Sequence, residues 1–478
     1  MIWGKADSEF ERGRAVRQIS LLFSLAFFAA VPAGILFTGD NNLITDFLRL
    51  ITSPCPLITD YFLISSLPAT FLNAALCGLA CTIMLYCADL GKLNGSNWAG
   101  YFLVVGHCFY GLNFLNMWPP VLGVLIYCRL RGLRFRDHLD VVMFSTAFGP
   151  FVSELMFRYP LFLNYPIHIG PHSVNAAGIA AALALGAFLG FTVPAILPGA
   201  KLLHRGFNLY NGGLAFGLIG LLVYSFLYKT MGVEVPQTRM VWDALYTSKL
   251  NKYYIFCNCF YIILFVFCLL YGFLENGRTV KGYNKILKTS GLGNDYILDF
   301  EDSLSWINMG FYGLFIILYF DIVILTGGGT GGWTAPTCGV VLAAVTFASA
   351  GQHPKNVWPI MAGYAALFAL ISLVCLLTGK TLPWTLATQG YINGFAFATG
   401  LCPFAGCYGP FVGIIAGFIH AVLCTTTSVI HGGFVLYNGG LTAGLTALIL
   451  TPMLAHYYRK KHDLVLKEIN KDTKDTGK

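Results

Sequence analysis

Charge is scarce in this chain. Asp, Glu, Lys and Arg make up 11% of its 478 residues, less than half of the roughly 25% usual in soluble proteins. Hydrophobic residues reach 56%, and the mean hydropathy is +0.67. So little polar surface cannot cover a soluble fold of this size, which excludes a water-soluble globular domain. The net charge of +8 is no nucleic-acid patch, because the basic residues sit in short loops and at the ends, where membrane topology accounts for them.

Catalytic spacing is also missing. There is no His-Glu-x-x-His, no Ser/His/Asp spacing and no paired general acid and base. Gly327 to Gly332 is glycine-rich but lacks the Lys-Ser/Thr ending of a phosphate loop, so it reads as a connector. The 14 cysteines lie mostly in apolar segments, as in Leu76-Cys77-Gly78, and behave there as small hydrophobes. Cys257-Asn-Cys259 and the Cys402/Cys407 pair lack zinc spacing. No metal, no cofactor and no catalytic residue is expected. No polar stretch is long enough for a nucleotide-binding domain.

Long apolar runs dominate what is present. Ten segments can cross ~30 Å of hydrocarbon: about 18–38, 67–88, 139–157, 176–198, 212–232, 252–275, 303–327, 384–401, 409–428 and 439–456. The first follows a basic leader (Arg12, Arg14, Arg17) but is bilayer-long and lacks a small-x-small cleavage site, so it is a span and not a signal peptide. Two further apolar stretches, 98–128 and 337–375, break at Gly111 to Pro120 and at Gly351 to Pro359. Gly, Pro and Asn there cannot continue a helix, and each stretch reads as a re-entrant hairpin. For 337–375, two ordinary spans is the alternative. With the N-terminus cytoplasmic, ten crossings and two hairpins put 22 of the 30 Lys and Arg on the cytoplasmic side, a strong positive-inside bias. The expected architecture is an all-α polytopic membrane protein in the plasma (inner) membrane, with both termini cytoplasmic. Its parts are a leader (1–17), a first membrane repeat (18–232), an external connector (233–251), a second repeat (252–456) and a basic tail (457–478).

The two halves repeat each other. His204-Arg-Gly-Phe-Asn-Leu-Tyr-Asn-Gly-Gly-Leu-Ala-Phe-Gly-Leu218 recurs as His431-Gly-Gly-Phe-Val-Leu-Tyr-Asn-Gly-Gly-Leu-Thr-Ala-Gly-Leu445, with 11 of 15 positions identical at an offset of 227. Asn73 and Gly78 match Asn308 and Gly313. Gly111, Asn116, Trp118 and Pro119 match Gly351, Asn356, Trp358 and Pro359. Phe148-Gly-Pro150-Phe151 matches Leu401-Cys-Pro403-Phe404. Five crossings per half is an odd number, so the second copy starts on the opposite side and the copies form inverted-topology repeats. A central site shared by both follows.

Candidate binding residues come from both phrases and both hairpin tips. From the phrases they are His204, Asn208, Tyr210, Asn211, His431, Tyr437 and Asn438. Asn211 and Asn438 are placed to cap the helices they open, and the following glycines leave backbone N–H groups free for a ligand. A packed, capped loop is the alternative. From the tips the candidates are Asn113, Asn116, Trp118, His353, Asn356 and Trp358, beside His107 and Gln352. Non-helical polar backbone at membrane depth lines a cavity or is buried in protein, and the Trp residues could equally anchor at the interface. Glu154 and Asp321 are carboxylates within spans, hence ion-coupling candidates; Glu154 aligns with Cys407 and has no repeat partner.

Asn116-Met-Trp118-Pro119, Asn356-Val-Trp358-Pro359 and the twin Gly-Phe-x-Leu-Tyr-Asn-Gly-Gly phrases resemble a bacterial family of multi-pass membrane proteins known as domain of unknown function 1576, over about residues 18–456. The resemblance implies a plasma-membrane location and carries over no functional residue. Leu209-Tyr210-Asn211-Gly212-Gly213-Leu214 and its copy are also similar to a phrase of the urea channels, which have two inverted halves of five spans; their Leu-Pro and Thr pore pattern is not visible here. That likeness implies a small neutral solute and a small homo-oligomer.

The expected function is a channel or secondary transporter for a small polar solute, neutral or anionic, with the lipid bilayer as its other partner. One alternative is proton- or cation-coupled transport through Glu154 or Asp321. Another is a membrane-embedded enzyme acting on a lipid-like substrate, which a cluster of His107, Glu154 and His204 would favour.

Overall fold

A computed structural model describes residues 13–162, 167–169, 172–235, 246, 248, 250–327 and 331–465. The leader up to Arg12, most of the connector 233–251, Gly328 to Thr330 within the glycine run, and the tail beyond Val465 lie outside the described residues.

The first half contains α1 (Arg14–Thr38), α2 (Leu43–Ile51), α3 (Tyr61–Ile64), α4 (Leu67–Tyr86), α5 (Gly95–His107), α6 (Trp118–Leu130), α7 (Leu139–Ser145), α8 (Gly149–Phe157), α9 (Ala176–Leu203) and α10 (Gly212–Tyr224). The second half contains α11 (Lys252–Glu275), α12 (Tyr283–Ile286), α13 (Tyr296–Asp299), α14 (Asp302–Thr326), α15 (Ala335–Ala344), α16 (Pro354–Thr378), α17 (Gln389–Ala398), α18 (Cys402–Tyr408), α19 (Pro410–Leu423) and α20 (Asn438–Tyr457). One antiparallel pair of three-residue strands, Ile167–Ile169 with His172–Val174, joins α8 to α9. Among the described residues nine helices are long and apolar enough to cross a membrane. The protein is a polytopic helical membrane protein.

Several expected boundaries shift for local reasons. The segment expected at 384–401 is a chain of short pieces, α17, a 3-10 turn at Thr399–Leu401 and α18. It stops at Gly409, whose φ of 101° is a conformation that glycine adopts without strain. Pro410 then starts α19, which ends at Leu423, earlier than the expected 428. Both interrupted stretches are helix–break–helix. In 98–128 the two helices have 13 residues each, about 20 Å at 1.5 Å per residue, too short to span. In 337–375 the arms are unequal, with 10 residues in α15 and 25 in α16. The second arm is about 37 Å long and can cross the bilayer.

Contacts repeat as the sequence does. Within the halves α1 packs on α4 and α6 on α9, as α11 packs on α14 and α16 on α19. The close approaches coincide. A Cβ on Gly190 would lie 1.9 Å from the Pro120 carbonyl oxygen, and one on Gly417 2.2 Å from the Ile360 oxygen. Only glycine lets these helices touch backbone to backbone. The hairpin tips are braced alike. The Asn73 amide donates to the Cys108 and Leu112 carbonyls at 2.9 and 3.0 Å, and the Asn308 amide donates to Ala348 and Gln352 at 2.7 and 2.8 Å.

Between the halves, like elements face each other. Phe23, Phe27 and Phe37 of α1 meet Phe265, Phe260 and Phe256 of α11 in reverse order, so the two helices are antiparallel. α5 and α15 touch at Gly106 and Gly339, where a Cβ on Gly339 would sit 2.2 Å from the Gly106 oxygen. α10 and α20 cross at Gly213 and Gly440, where a Cβ on Gly213 would come within 2.2 Å of the opposing backbone. The twin phrases therefore meet at the centre of the molecule, not at a surface.

Candidate functional site

A cavity of about 290 Å³ opens beside that crossing. Its wall draws on both halves: Asp60, Leu63 and Tyr110 from the first, and Thr334, Gln389, Asn393, Phe397 and Asn438 from the second. Three residues of the polar wall form a hydrogen-bonded chain. Thr334 donates to the Gln389 carbonyl oxygen at 2.8 Å, and the Gln389 amide donates to Asn393 at 2.8 Å. Among the described residues, Asp60 is the only carboxylate on the lining, and no Lys or Arg joins it.

Behind the cavity lies a polar cluster without hydrogen bonds. His107 ends α5, and its ring lies 5.4 Å from that of Tyr110 and 5.2 Å from that of Tyr437. All three are buried. Neither tyrosine hydroxyl reaches a partner, and the imidazole meets only the backbone of Leu103 and Leu436, outside good hydrogen-bonding geometry. Phe397, a cavity wall residue, stacks on His107 at 6.1 Å. Buried polar groups are almost always paired with protein, water or ligand, so three together leave hydrogen-bonding capacity open behind the cavity. The other half lacks the cluster. At the spacing that matches Gly111 to Gly351, His107 corresponds to Phe347 and Tyr110 to Ala350. Tyr437 corresponds to Tyr210, whose hydroxyl donates to the Ala343 carbonyl at 2.6 Å.

The residues singled out in the sequence divide sharply. Asn438 lines the cavity, and its Oδ1 accepts from His431 Nε2 at 3.0 Å. Tyr437 belongs to the cluster behind it. Asn208 is tied to the backbone of Tyr210 and Gly440 at 3.2 and 3.1 Å, and so locks the crossing. His204 and the Asn211 carbonyl oxygen are buried without partners, because the bond joining His431 to Asn438 has no counterpart in the first copy. The expected N-caps do not form. Asn211 is already helical (φ −48°, ψ −41°), and α20 starts at Asn438 itself, so neither side chain can fold back over a first turn.

The tip residues are spent on the tips. The Asn116 amide donates to the Gly111 oxygen at 3.1 Å and to Ser153 at 2.9 Å, while Asn113 accepts from the backbone of Leu115 and Asn116. The Asn356 amide donates to the Gly351 oxygen at 2.8 Å, and His353 Nε2 faces the Thr289 oxygen at 3.2 Å. Trp118 and Trp358 are 40% and 43% exposed, as interfacial anchors would be. None of these six lines the cavity.

Glu154 is fully buried and held by the Arg158 guanidinium at 2.8 Å and by the Tyr228 hydroxyl at 2.5 Å. Asp321 accepts from the Asn258 amide at 2.5 Å and from the Trp333 indole at 3.0 Å, both neutral donors. His107, Glu154 and His204 keep separate neighbours and form no common site.

Sequence reasoning missed Asp60 and Tyr110. A signal for the first existed: Asp60-Tyr61 and Asp295-Tyr296 share the spacing of Asn73 and Asn308. Each aspartate caps its own short helix and also accepts the first N–H of the other half's hairpin helix. Asp60 takes that of Ala335, and Asp295 takes that of Gly95 at 2.9 Å. The halves are thus strapped crosswise. Burial raises both carboxyls from 3.8 to about 6, against the pull of their backbone hydrogen bonds. A folded-state pKa above the unfolded one gives stability that is complete below pH ~4 and lost as pH rises through about 6. The melting temperature is therefore expected to fall between about pH 4 and 6. Asp60→Asn combined with Asp295→Asn should flatten that slope in a fluorescence melt. An unchanged slope would place the titration elsewhere.

A family model described as "Protein of unknown function (DUF1576)" matches residues 39–229 and 275–456. Neither a curated protein nor a solved structure matches the chain.

Proposed function

The chain belongs to the DUF1576 family, and from the geometry of its site we propose an integral membrane channel or secondary transporter that carries a small polar solute between its two halves. The observation that supports this most directly is the cavity between the halves, with Tyr110 on its wall and His107 and Tyr437 packed behind it. Two hydroxyls and an imidazole without partners offer donors and acceptors at membrane depth, where an unmade hydrogen bond is expensive. A solute that completes them is selected over one that cannot. With one carboxylate and no basic residue among the described residues of the wall, the lining favours an uncharged solute over an anion.

The antiparallel meeting of α1 with α11 and of α5 with α15 fits a pseudo-twofold axis in the membrane plane, the inverted repeat of many solute carriers. The positive-inside bias obtained with ten crossings and two hairpins supports cytoplasmic termini in a plasma-membrane protein. Proton coupling is a second reading and rests on Asp321, whose partners are all neutral; Glu154 already has its counter-charge.

Osmotic swelling of proteoliposomes tests the proposal. Urea, acetamide and glycerol, compared with sodium acetate, should enter faster than into empty liposomes for at least one uncharged probe, at fixed pH and without proton flux. Entry no faster than the lipid background for every probe overturns the reading. Preference for acetate overturns its uncharged-solute clause.

A further inference from the structure

A second cleft of about 540 Å³ lies where α9 and α20 end, lined by Leu203, Arg205, Thr451, Pro452, His456 and His462. Its chemistry is two-sided, with aliphatic walls and a cationic mouth. The Arg205 guanidinium donates to His462 Nε2 at 3.4 Å, and His462 Nδ1 meets the Tyr408 hydroxyl at 2.5 Å. No carboxylate pairs with Arg205 among the described residues; Asp463 stands near His462. The Thr451 hydroxyl is 6% exposed, as a residue, and has no partner. The chain then continues into Arg459, Lys460 and Lys461, so cations crowd this face.

The backbone supplies an independent observation. Arg205 adopts φ +51°, a left-handed conformation that disfavours any side chain. The matching residue of the second copy is Gly432 at φ +63°. The turn is the same in both copies; one meets it with glycine and the other holds an arginine there under strain. Strain of this kind is retained at ligand sites when the surroundings enforce it.

We propose that this cleft binds the phosphate headgroup of an anionic membrane phospholipid, with Arg205 as the anchoring cation. His456, His462 and the Thr451 hydroxyl complete the headgroup shell, and Leu203 and Pro452 meet the first acyl carbons. Basic pockets between helix ends on a membrane face are suited to such headgroups, and a guanidinium matches phosphate geometry.

The test is thermal unfolding of the full chain in neutral detergent. The probes are dioctanoylphosphatidylglycerol, dioctanoylphosphatidylcholine and inorganic phosphate. Phosphatidylglycerol alone should raise the midpoint, by about 2–4 °C. Arg205→Gly relieves the turn, so it should unfold no earlier than the parent without lipid, yet lose the rise. Arg205→Gln keeps the strain and should lose it too. An equal rise with phosphatidylcholine, a full rise with phosphate alone, or a rise that survives in both variants overturns the assignment.

Discussion

His107→Phe is expected to remove most solute flux while leaving the protein at least as stable as its parent. A structural histidine would show the opposite pattern. The equivalent position of the second half is Phe347, which packs on Tyr210 with ring centroids 4.9 Å apart. His107 packs on Tyr437 at 5.2 Å. The molecule thus already carries a phenylalanine once at the matching place, against the matching tyrosine. Two nitrogens without partners in a buried site lower stability by about 1–3 kcal/mol, and phenylalanine relieves that penalty. The same nitrogens are what a solute would bond. Losing one such bond in a dry site reduces flux by roughly 10- to 100-fold. Flux into proteoliposomes and thermal unfolding of the same preparation decide the matter. Flux at the parental level, or a large fall in melting temperature, removes His107 from the pathway. Tyr437→Phe should act in the same direction, since its hydroxyl is equally unmatched.

Arg158→Ala carries the largest expected loss of stability. Arg158 grips both oxygens of Glu154 at 2.8 to 3.0 Å, and Glu154 is fully buried. Removing the guanidinium leaves a carboxylate in a dry interior, a change that costs about 3–5 kcal/mol. Glu154→Gln leaves Arg158, which is 18% exposed and partly hydrated, so its cost is smaller. Combining Arg158→Ala with Glu154→Gln should recover much of the difference, because no unpaired charge then remains buried. The double-mutant cycle in chemical unfolding reads this directly. Equal losses in all three variants would show that the pair contributes only shape. If flux in Glu154→Gln keeps its pH profile, the glutamate is a rivet of the bundle and no proton carrier.

Legibility in the sequence followed the physics of each feature. Helix existence was readable because hydrocarbon demands long apolar runs with all backbone groups paired internally; eight of the expected spans reappear with ends shifted by a few residues. The hairpin breaks at Gly111 and Gly351 were readable too, since both residues adopt φ near 120°. The site was only partly readable. The twin phrases pointed to Tyr437 and Asn438, but the Asn residues of the tips proved to hold the tips themselves. A side-chain amide looks the same in a sequence whether it bonds its own turn or a ligand.

What the amino-acid order settles alone is membrane residence, the duplication and the places where glycine or proline stops a helix. Each depends on composition or on neighbours within a few positions. Which of two similar copies keeps open hydrogen-bonding groups was decided by three-dimensional packing. His107 and Tyr437 lie 330 residues apart in the chain and meet only because α10 crosses α20 at paired glycines. The duplication made both halves nearly alike, and the tertiary contacts gave the Tyr210 hydroxyl the Ala343 carbonyl while the Tyr437 hydroxyl meets no acceptor among the described residues.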